Sequence, residues 1–169
     1  LRIVDEAHTS TDILAAAEYP ANPLRSLSLQ EAFEPGSTFK IVTMAGALDE
    51  GTARPSDEID GEGGRWELTP GVSIRDHEPY GRLTLSAVME KSSNIGMAKL
   101  GLALGAPRFH RRCRMFGFGT RSSLAFPGEN PGLLKPASDL TRVVLANNSF
   151  GQGIAATSLQ LVTAFSAIA

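Results

Sequence analysis

Cys113 is the only cysteine in the 169 residues, and a lone thiol excludes an intrachain disulfide and a zinc cluster. Histidine is nearly as scarce. His8, His77 and His110 show no His-Glu-x-x-His or similar spacing, so no metal site is expected. An excess of positive charge is missing too. The formal net charge is -2, which argues against a general nucleic-acid binder. The one basic cluster, Arg108, Arg111, Arg112 and Arg114 around His110, reads as a solvated helix face. No signal peptide is expected within these residues, which open on Leu1 without a charged n-region. Charged residues are absent from Val143 to Ala169, but Asn147, Asn148, Ser149, Gly151, Gln152, Gly153 and Gln160 interrupt that stretch. It is therefore not a spanning helix. The glycine-rich turn Ser149 to Gly153 lacks the Lys-Ser/Thr of a phosphate loop, and no strand is expected before it. Internal repeats and low-complexity tracts are absent as well.

What is present fits one globular domain with a sizeable core: 42 % apolar and 20 % charged residues. Leu1 to Asp5 and Asp12 to Glu18 read as the two arms of a hairpin. Gly51 to Tyr80 is rich in Gly, Pro and acidic residues and reads as loop, with a small hairpin around Arg65 to Ile74. Thr84 is placed to cap a helix over Leu85 to Lys91. A second helix over Ile95 to Leu104 is closed by Gly105, and Pro107 starts a third, to about Met115. After an irregular stretch from Thr120 to Pro136, Ser138 is expected to cap a helix through Leu145. Thr157 is expected to cap one running through the last residue.

The most informative stretch is Glu34-Pro35-Gly36-Ser37-Thr38-Phe39-Lys40, followed by the apolar run Ile41 to Leu48. A Pro-Gly turn opens a helix that is apolar almost all round, the mark of a buried helix. Ser37 and Lys40 stand at i and i+3, on one face, so hydroxyl and amine are expected to meet. Within the helix, nothing acidic follows Lys40 before Asp49 and Glu50. Desolvated without a local counter-ion, the ammonium should have a lowered pKa, and such a lysine can take a proton from a serine. The free N–H groups of the helix start add a place for an oxyanion. Fifteen serines and four lysines in this length give about 0.4 chance Ser-x-x-Lys matches, so the context of the tetrad carries the reading.

Ser92-Ser93-Asn94 breaks the helical pattern 55 positions after Ser37. Alternate residues of such a break share a side. Ser92 can then relay a proton, and Asn94 can hold a substrate amide with its donor and its acceptor. Equally, Ser and Asn at this point can serve as ordinary helix-terminal caps.

Together, Ser-x-x-Lys at a helix start and Ser-x-Asn in an inter-helix break resemble the penicillin-binding protein family. Phe33 to Lys40, Lys91 to Gly96, Phe116-Gly117-Phe118-Gly119 and Ser149-Phe150-Gly151-Gln152-Gly153 all look like that family, and more narrowly like its class B transpeptidases of division and elongation. The resemblance implies an α+β, β-lactamase/transpeptidase-like fold, here the N-terminal hairpin of the sheet plus a mostly helical lobe. It implies Ser37 as acylated nucleophile, Lys40 as general base, Ser92 as proton relay and Asn94 as substrate-positioning residue, with no cofactor. The implied partners are the D-Ala-D-Ala end of a peptidoglycan stem peptide, β-lactam antibiotics and membrane proteins of cell-wall synthesis. The implied location is the outer face of the cell membrane, with the anchor outside this chain. A serine β-lactamase, with Glu129 the nearest approach to a deacylating base, and a non-catalytic penicillin-sensing scaffold are the alternatives. The family's third motif, Lys-Thr-Gly, does not follow, since the last lysine is Lys135. Both ends fall inside regular-looking runs. Residues 1–169 are therefore expected to be a partial transpeptidase domain, weakly active and aggregation-prone alone.

Overall fold

The computed structural model describes residues 26–124 and 126–169; the hairpin expected from Leu1 to Glu18 lies outside them. The short helix α1 (Leu27–Gln30) and strand β1 (Ala32–Phe33) lead into a 3-10 turn over Gly36–Phe39, which runs directly into helix α2 (Lys40–Asp49). The all-round apolar character of α2 has a packing reason. Met44 and Ala47 belong to one core, with Leu85, Val88, Ile95, Met97 and Phe150. Phe39 and Val42 belong to a second, with Leu104, Phe109, Phe118, Leu145 and Ile154. The turn and helix wedge between two apolar clusters, each large side chain gaining about 1.5–3 kcal/mol by burial.

The segment read as loop from Gly51 to Tyr80 holds more structure than expected. The hairpin forms as β3 (Arg65–Thr69) and β4 (Val72–Arg75), while β2 (Glu58–Asp60) pairs with the more distant β5 (Arg82–Thr84). Three residues are too few for an alternation signal, which is why β2 reads as loop. The helices that follow obey their local signals closely. Thr84 Oγ1 accepts from the Ala87 N–H at 3.2 Å and caps α3 (Leu85–Glu90), a bond type worth about 1 kcal/mol. Ser93 caps α4 (Asn94–Leu104), which Gly105 closes, and Pro107 lies in the first turn of α5 (Ala106–Met115).

Two boundaries differ from expectation. Thr141, not Ser138, caps α6 (Arg142–Asn148), because Ser138 sits in a separate 3-10 turn with its hydroxyl bonded to Asp139. Strand β6 (Ala156–Thr157) precedes α7 (Ser158–Ser166), whose capping box of Thr157 and Gln160 is intact but which stops before Ala169. Strand β6 pairs antiparallel with β1, Ala32 opposite Thr157 and Phe33 opposite Ala156. That pairing ties the lead-in to Ser37 to the segment after Gly153. The described residues thus form an α+β fold, a helical lobe edged by three two-stranded ribbons. Among them, no helix is long and apolar enough to cross a membrane.

The basic cluster on α5 is not a freely solvated face. Arg108, Arg111 and Arg112 converge on Glu50, and Arg112 also reaches Asp49, both at the C-terminal end of α2.

Candidate active site

The site is built on the N-terminal end of α2. Gly36 sits at φ +55°, a left-handed conformation natural to glycine, and swings the chain into the 3-10 turn. Phe39 is fully buried at the far side of that turn. Its ring lies 5.0 Å from Phe118 and 6.2 Å from Phe109, centroid to centroid. Between these two fixed points Ser37 is exposed, and its hydroxyl has no hydrogen-bond partner among the described residues.

Lys40 is only 2 % exposed, and its ammonium reaches into the break between α3 and α4. Nζ donates to the Ser92 carbonyl at 2.5 Å, to Ser92 Oγ at 2.8 Å and to Asn94 Oδ1 at 2.7 Å. Among the described residues no hydrogen bond joins Ser37 to Lys40. All three protons of the ammonium are committed elsewhere. What the spacing does bring together is Lys40, Ser92 and Asn94, with the Ser37 turn immediately before the lysine.

Burial holds the Lys40 pKa down at about 8, the more distant negative charge of Asp76 working against that shift. The lysine also occupies the first turn of α2, where the helix dipole is positive and disfavours a cation. Of its three acceptors, a backbone carbonyl and an amide oxygen can only accept. The Ser92 hydroxyl alone can also donate. When Lys40 is neutral, the two acceptor-only groups fix its two N–H bonds, and the lone pair is left for a hydroxyl proton.

Ser92 itself adopts φ +53°, a left-handed conformation that costs a non-glycine residue about 1–2 kcal/mol. The surroundings hold it there: its N–H bonds the Met89 carbonyl at 3.0 Å, and the next N–H, of Ser93, bonds Val88 at 3.0 Å. Asn94 was expected to offer both halves of its amide to a substrate. Both halves are already in use, Oδ1 on Lys40 and Nδ2 on the Arg75 carbonyl at 3.1 Å. One Nδ2 proton remains for a ligand.

The residue that sequence reasoning missed is Asp76, at the end of β4. Its carboxylate accepts from Ser93 Oγ at 2.6 Å and from the backbone N–H groups of Asn94 at 2.6 Å and Ile95 at 3.0 Å. Those N–H groups are orphan donors at the start of α4, the place where a carboxylate is most stabilising. Asp76 thereby locks the whole Ser92-Ser93-Asn94 break. A single acid in a loop-rich stretch carried no local sign of this; the only cue was its position at the end of a predicted hairpin.

Glu129 is held apart from this chemistry. It is 5 % exposed, and its carboxylate accepts from the Ser122 N–H at 2.6 Å within the irregular stretch after α5. Among the described residues no cluster of three or more His, Cys, Asp or Glu is arranged for a metal ion, and the Cys113 thiol, fully buried, is pushed far above its ordinary pKa.

Comparison with known proteins fits this arrangement. The family model for the penicillin binding protein transpeptidase domain matches residues 4–169. A probable peptidoglycan D,D-transpeptidase, PbpC of Pseudomonas aeruginosa, is 34 % identical over 95 % of this chain and 30 % of its own length. The peptidoglycan D,D-transpeptidase FtsI of Escherichia coli is 33 % identical over 88 % of the chain and 25 % of its own length. The chain thus spans less than a third of these relatives. The solved transpeptidase domain of Burkholderia pseudomallei penicillin-binding protein 3 superposes with a TM-score of 0.82 at 32 % identity, covering 86 % of this chain and 44 % of that one. With the match running over nearly the whole sequence, the chain belongs to the penicillin-binding protein transpeptidase domain family.

Proposed function

We propose that this chain carries the nucleophile-bearing part of a peptidoglycan D,D-transpeptidase of the division and elongation type. The observation that supports it best is the buried Lys40 amine, pKa about 8, held by Ser92 and Asn94 directly behind an exposed Ser37. In the proposed reaction Ser37 Oγ attacks the carbonyl carbon of the penultimate D-Ala of a stem peptide, and its proton passes to neutral Lys40. The proton then travels through Ser92 Oγ to the departing D-Ala amine as the peptide bond breaks. An amine of a second stem peptide attacks the resulting ester and loses a proton to the same lysine, which passes it to Ser37 Oγ as the ester bond breaks and the serine is released. A β-lactam would be opened by the first step and remain attached. The Ser37 N–H precedes the first bonds of its helical turn and can face the developing oxyanion. No cofactor enters this scheme. The reading carries with it an outer-face, membrane-anchored location and membrane partners in wall synthesis.

The β-lactamase alternative needs a base that delivers water to the ester. Glu129, the candidate for it, spends its carboxylate on the Ser122 N–H, which favours the transpeptidase. The test is labelling of the full-length protein with a fluorescent penicillin, followed by mass mapping. A single adduct on Ser37, lost in Ser37→Ala and persisting far beyond one catalytic cycle, is expected. A label elsewhere overturns the assignment, and rapid multiple turnover of a chromogenic β-lactam favours the hydrolase.

A further inference from the structure

Among the described residues no side-chain hydrogen bond orients Ser37, so within them the geometry of its hydroxyl is set by its backbone. Downstream, the backbone is anchored by Phe39 in the aromatic core. Upstream, beyond the β1–β6 pairing, two tethers lead to the turn Ser149 to Gly153. The Gly36 N–H donates to the Gly151 carbonyl at 3.1 Å. The Gly153 N–H donates to Glu34 Oε1 at 2.9 Å. From α2, Thr43 Oγ1 donates to the Ser149 carbonyl at 2.8 Å.

Steric contacts make the same join. A Cβ on Gly151 would stand 2.0 Å from the Gly36 carbonyl oxygen, and Gly151 is itself at φ +86°. The turn is held from behind as well. A Cβ on Gly101 of α4 would stand 1.7 Å from Ser149 Oγ, so the Ser149 side chain packs directly on the α4 backbone. The antiparallel pairing of β1 with β6 continues into these contacts. The nucleophile turn is the tip of a ribbon whose other arm is the glycine turn.

We propose that the Ser149–Gly153 turn is a brace that sets the attack geometry of Ser37, with Glu34 and Gly151 as positioning residues. The proposal rests on the acyl-transfer reading above and adds to it the element that aims the nucleophile. Glu34 is exposed, so its side chain fills no core space; among the described residues its one polar contact is a charge-assisted bond to a backbone N–H. Loss of that bond lets the backbone before Ser37 drift, and misplacement of a reacting atom by about 1 Å can cost on the order of a hundredfold in rate. Lys40, Ser92 and Asn94 are not touched by the brace, so it acts on the rate of attack without changing the base.

The experiment compares full-length parent, Glu34→Ala, Glu34→Gln and Gly151→Ala for saturable acylation by a fluorescent penicillin, resolved into affinity and maximal rate. Glu34→Ala is expected to lower the maximal rate about tenfold, with affinity, melting temperature and the pH midpoint of acylation unchanged. Glu34→Gln, which keeps an acceptor oxygen but not the charge, should recover to within about threefold of the parent. Gly151→Ala should lose about a hundredfold, as a displaced nucleophile does; should it fail to fold, the two Glu34 variants still decide. A Glu34→Ala rate equal to the parent's, a Glu34→Gln rate as low as Glu34→Ala, or a loss confined to affinity overturns the brace. A parent that is not labelled at Ser37 overturns the acyl-transfer reading together with the brace.

Discussion

The two ends of α2 carry charges of opposite sign, and each stands against the helix dipole. Lys40 is a cation at the positive end, and Asp49 and Glu50 are anions at the negative end. The protein treats them differently. At the C-terminal end, Glu50 Oε1 lies 2.6 Å from both Arg111 and Arg112, with Arg108 at 3.7 Å from its other oxygen. The arginines hold the Glu50 carboxyl below its ordinary pKa, through hydrogen bonds from Arg111 and Arg112. At the N-terminal end, Lys40 receives neutral acceptors and, among the described residues, no carboxylate in contact. Its charge is tolerated but not compensated, so the proton can leave near neutral pH. One end is arranged to keep its charge, the other to give it up.

The comparison breaks most completely at Lys40. Lys40→Arg retains a cation in the same helix turn, but a guanidinium cannot lose its proton in the physiological range. Acylation by a penicillin should fall by at least about a thousandfold, within the range general-base catalysis supplies. The parent's acylation rate should rise with pH and level off through an apparent pKa of about 8, because the neutral amine is the active form and predominates above that value. A pH-independent rate, or near-parent acylation by the arginine variant, would show that the charge matters and the proton does not.

A middle-sized effect is expected from Asp76, whose charge raises the Lys40 pKa against the larger effect of burial. Asp76→Asn keeps one oxygen for the Asn94 and Ile95 N–H groups, and its new N–H group can donate to Ser93 Oγ, a hydroxyl able to reverse its role. The break should survive while the charge is lost. With the raising influence gone, the Lys40 pKa falls, and the midpoint of the acylation–pH profile should move to lower pH. A midpoint that stays put or moves up contradicts the electrostatic role. Asp76→Ala strips three donors of their acceptor. It should in addition destabilise the start of α4 and lower the acylation rate roughly tenfold, if the lost cap costs about 1–2 kcal/mol.

The sequence made one half of this arrangement readable. Apart from the Ser138 cap, signals confined to a few neighbouring residues are borne out in the fold: the Thr84 and Thr157 caps, the Gly105 stop, and the hairpin between Arg65 and Ile74. Lys40 could be picked out because an isolated lysine in an apolar helix is a contradiction visible in one dimension. Its neutral partners followed from the resemblance of Ser92-Ser93-Asn94 to a known motif. Asp76 could not be found that way, since an acid 18 positions before Asn94 meets it only after a hairpin folds back on α4. Arginines on α5 looked solvated for the same reason; Glu50 lies 61 positions before Arg111, and no periodicity links two helices.

The smallest effect, and the sharpest control, belongs to the C-terminal end of α2. Glu50→Gln preserves shape and one acceptor oxygen but leaves Arg108, Arg111 and Arg112 facing each other without the anion between them. The α5–α2 contact should loosen and the melting temperature drop by a few degrees, while Asp49 keeps its hold on Arg112. The pH dependence should change in a defined direction. A carboxyl whose folded pKa lies below its unfolded value contributes stability at neutral pH and loses it as the pH falls through the folded pKa. Parent protein should therefore lose more melting temperature between neutral and acid pH than Glu50→Gln does, and the two curves should converge in acid. Acylation is where the two ends part. Glu50 lies at the far end of the helix from the lysine and influences neither its desolvation nor its acceptors, so the midpoint near pH 8 should be the same in the variant as in the parent. A shifted midpoint in Glu50→Gln would mean that charge at one end of α2 is felt at the other, and that the two ends are a single electrostatic system and not two independent solutions to opposite problems.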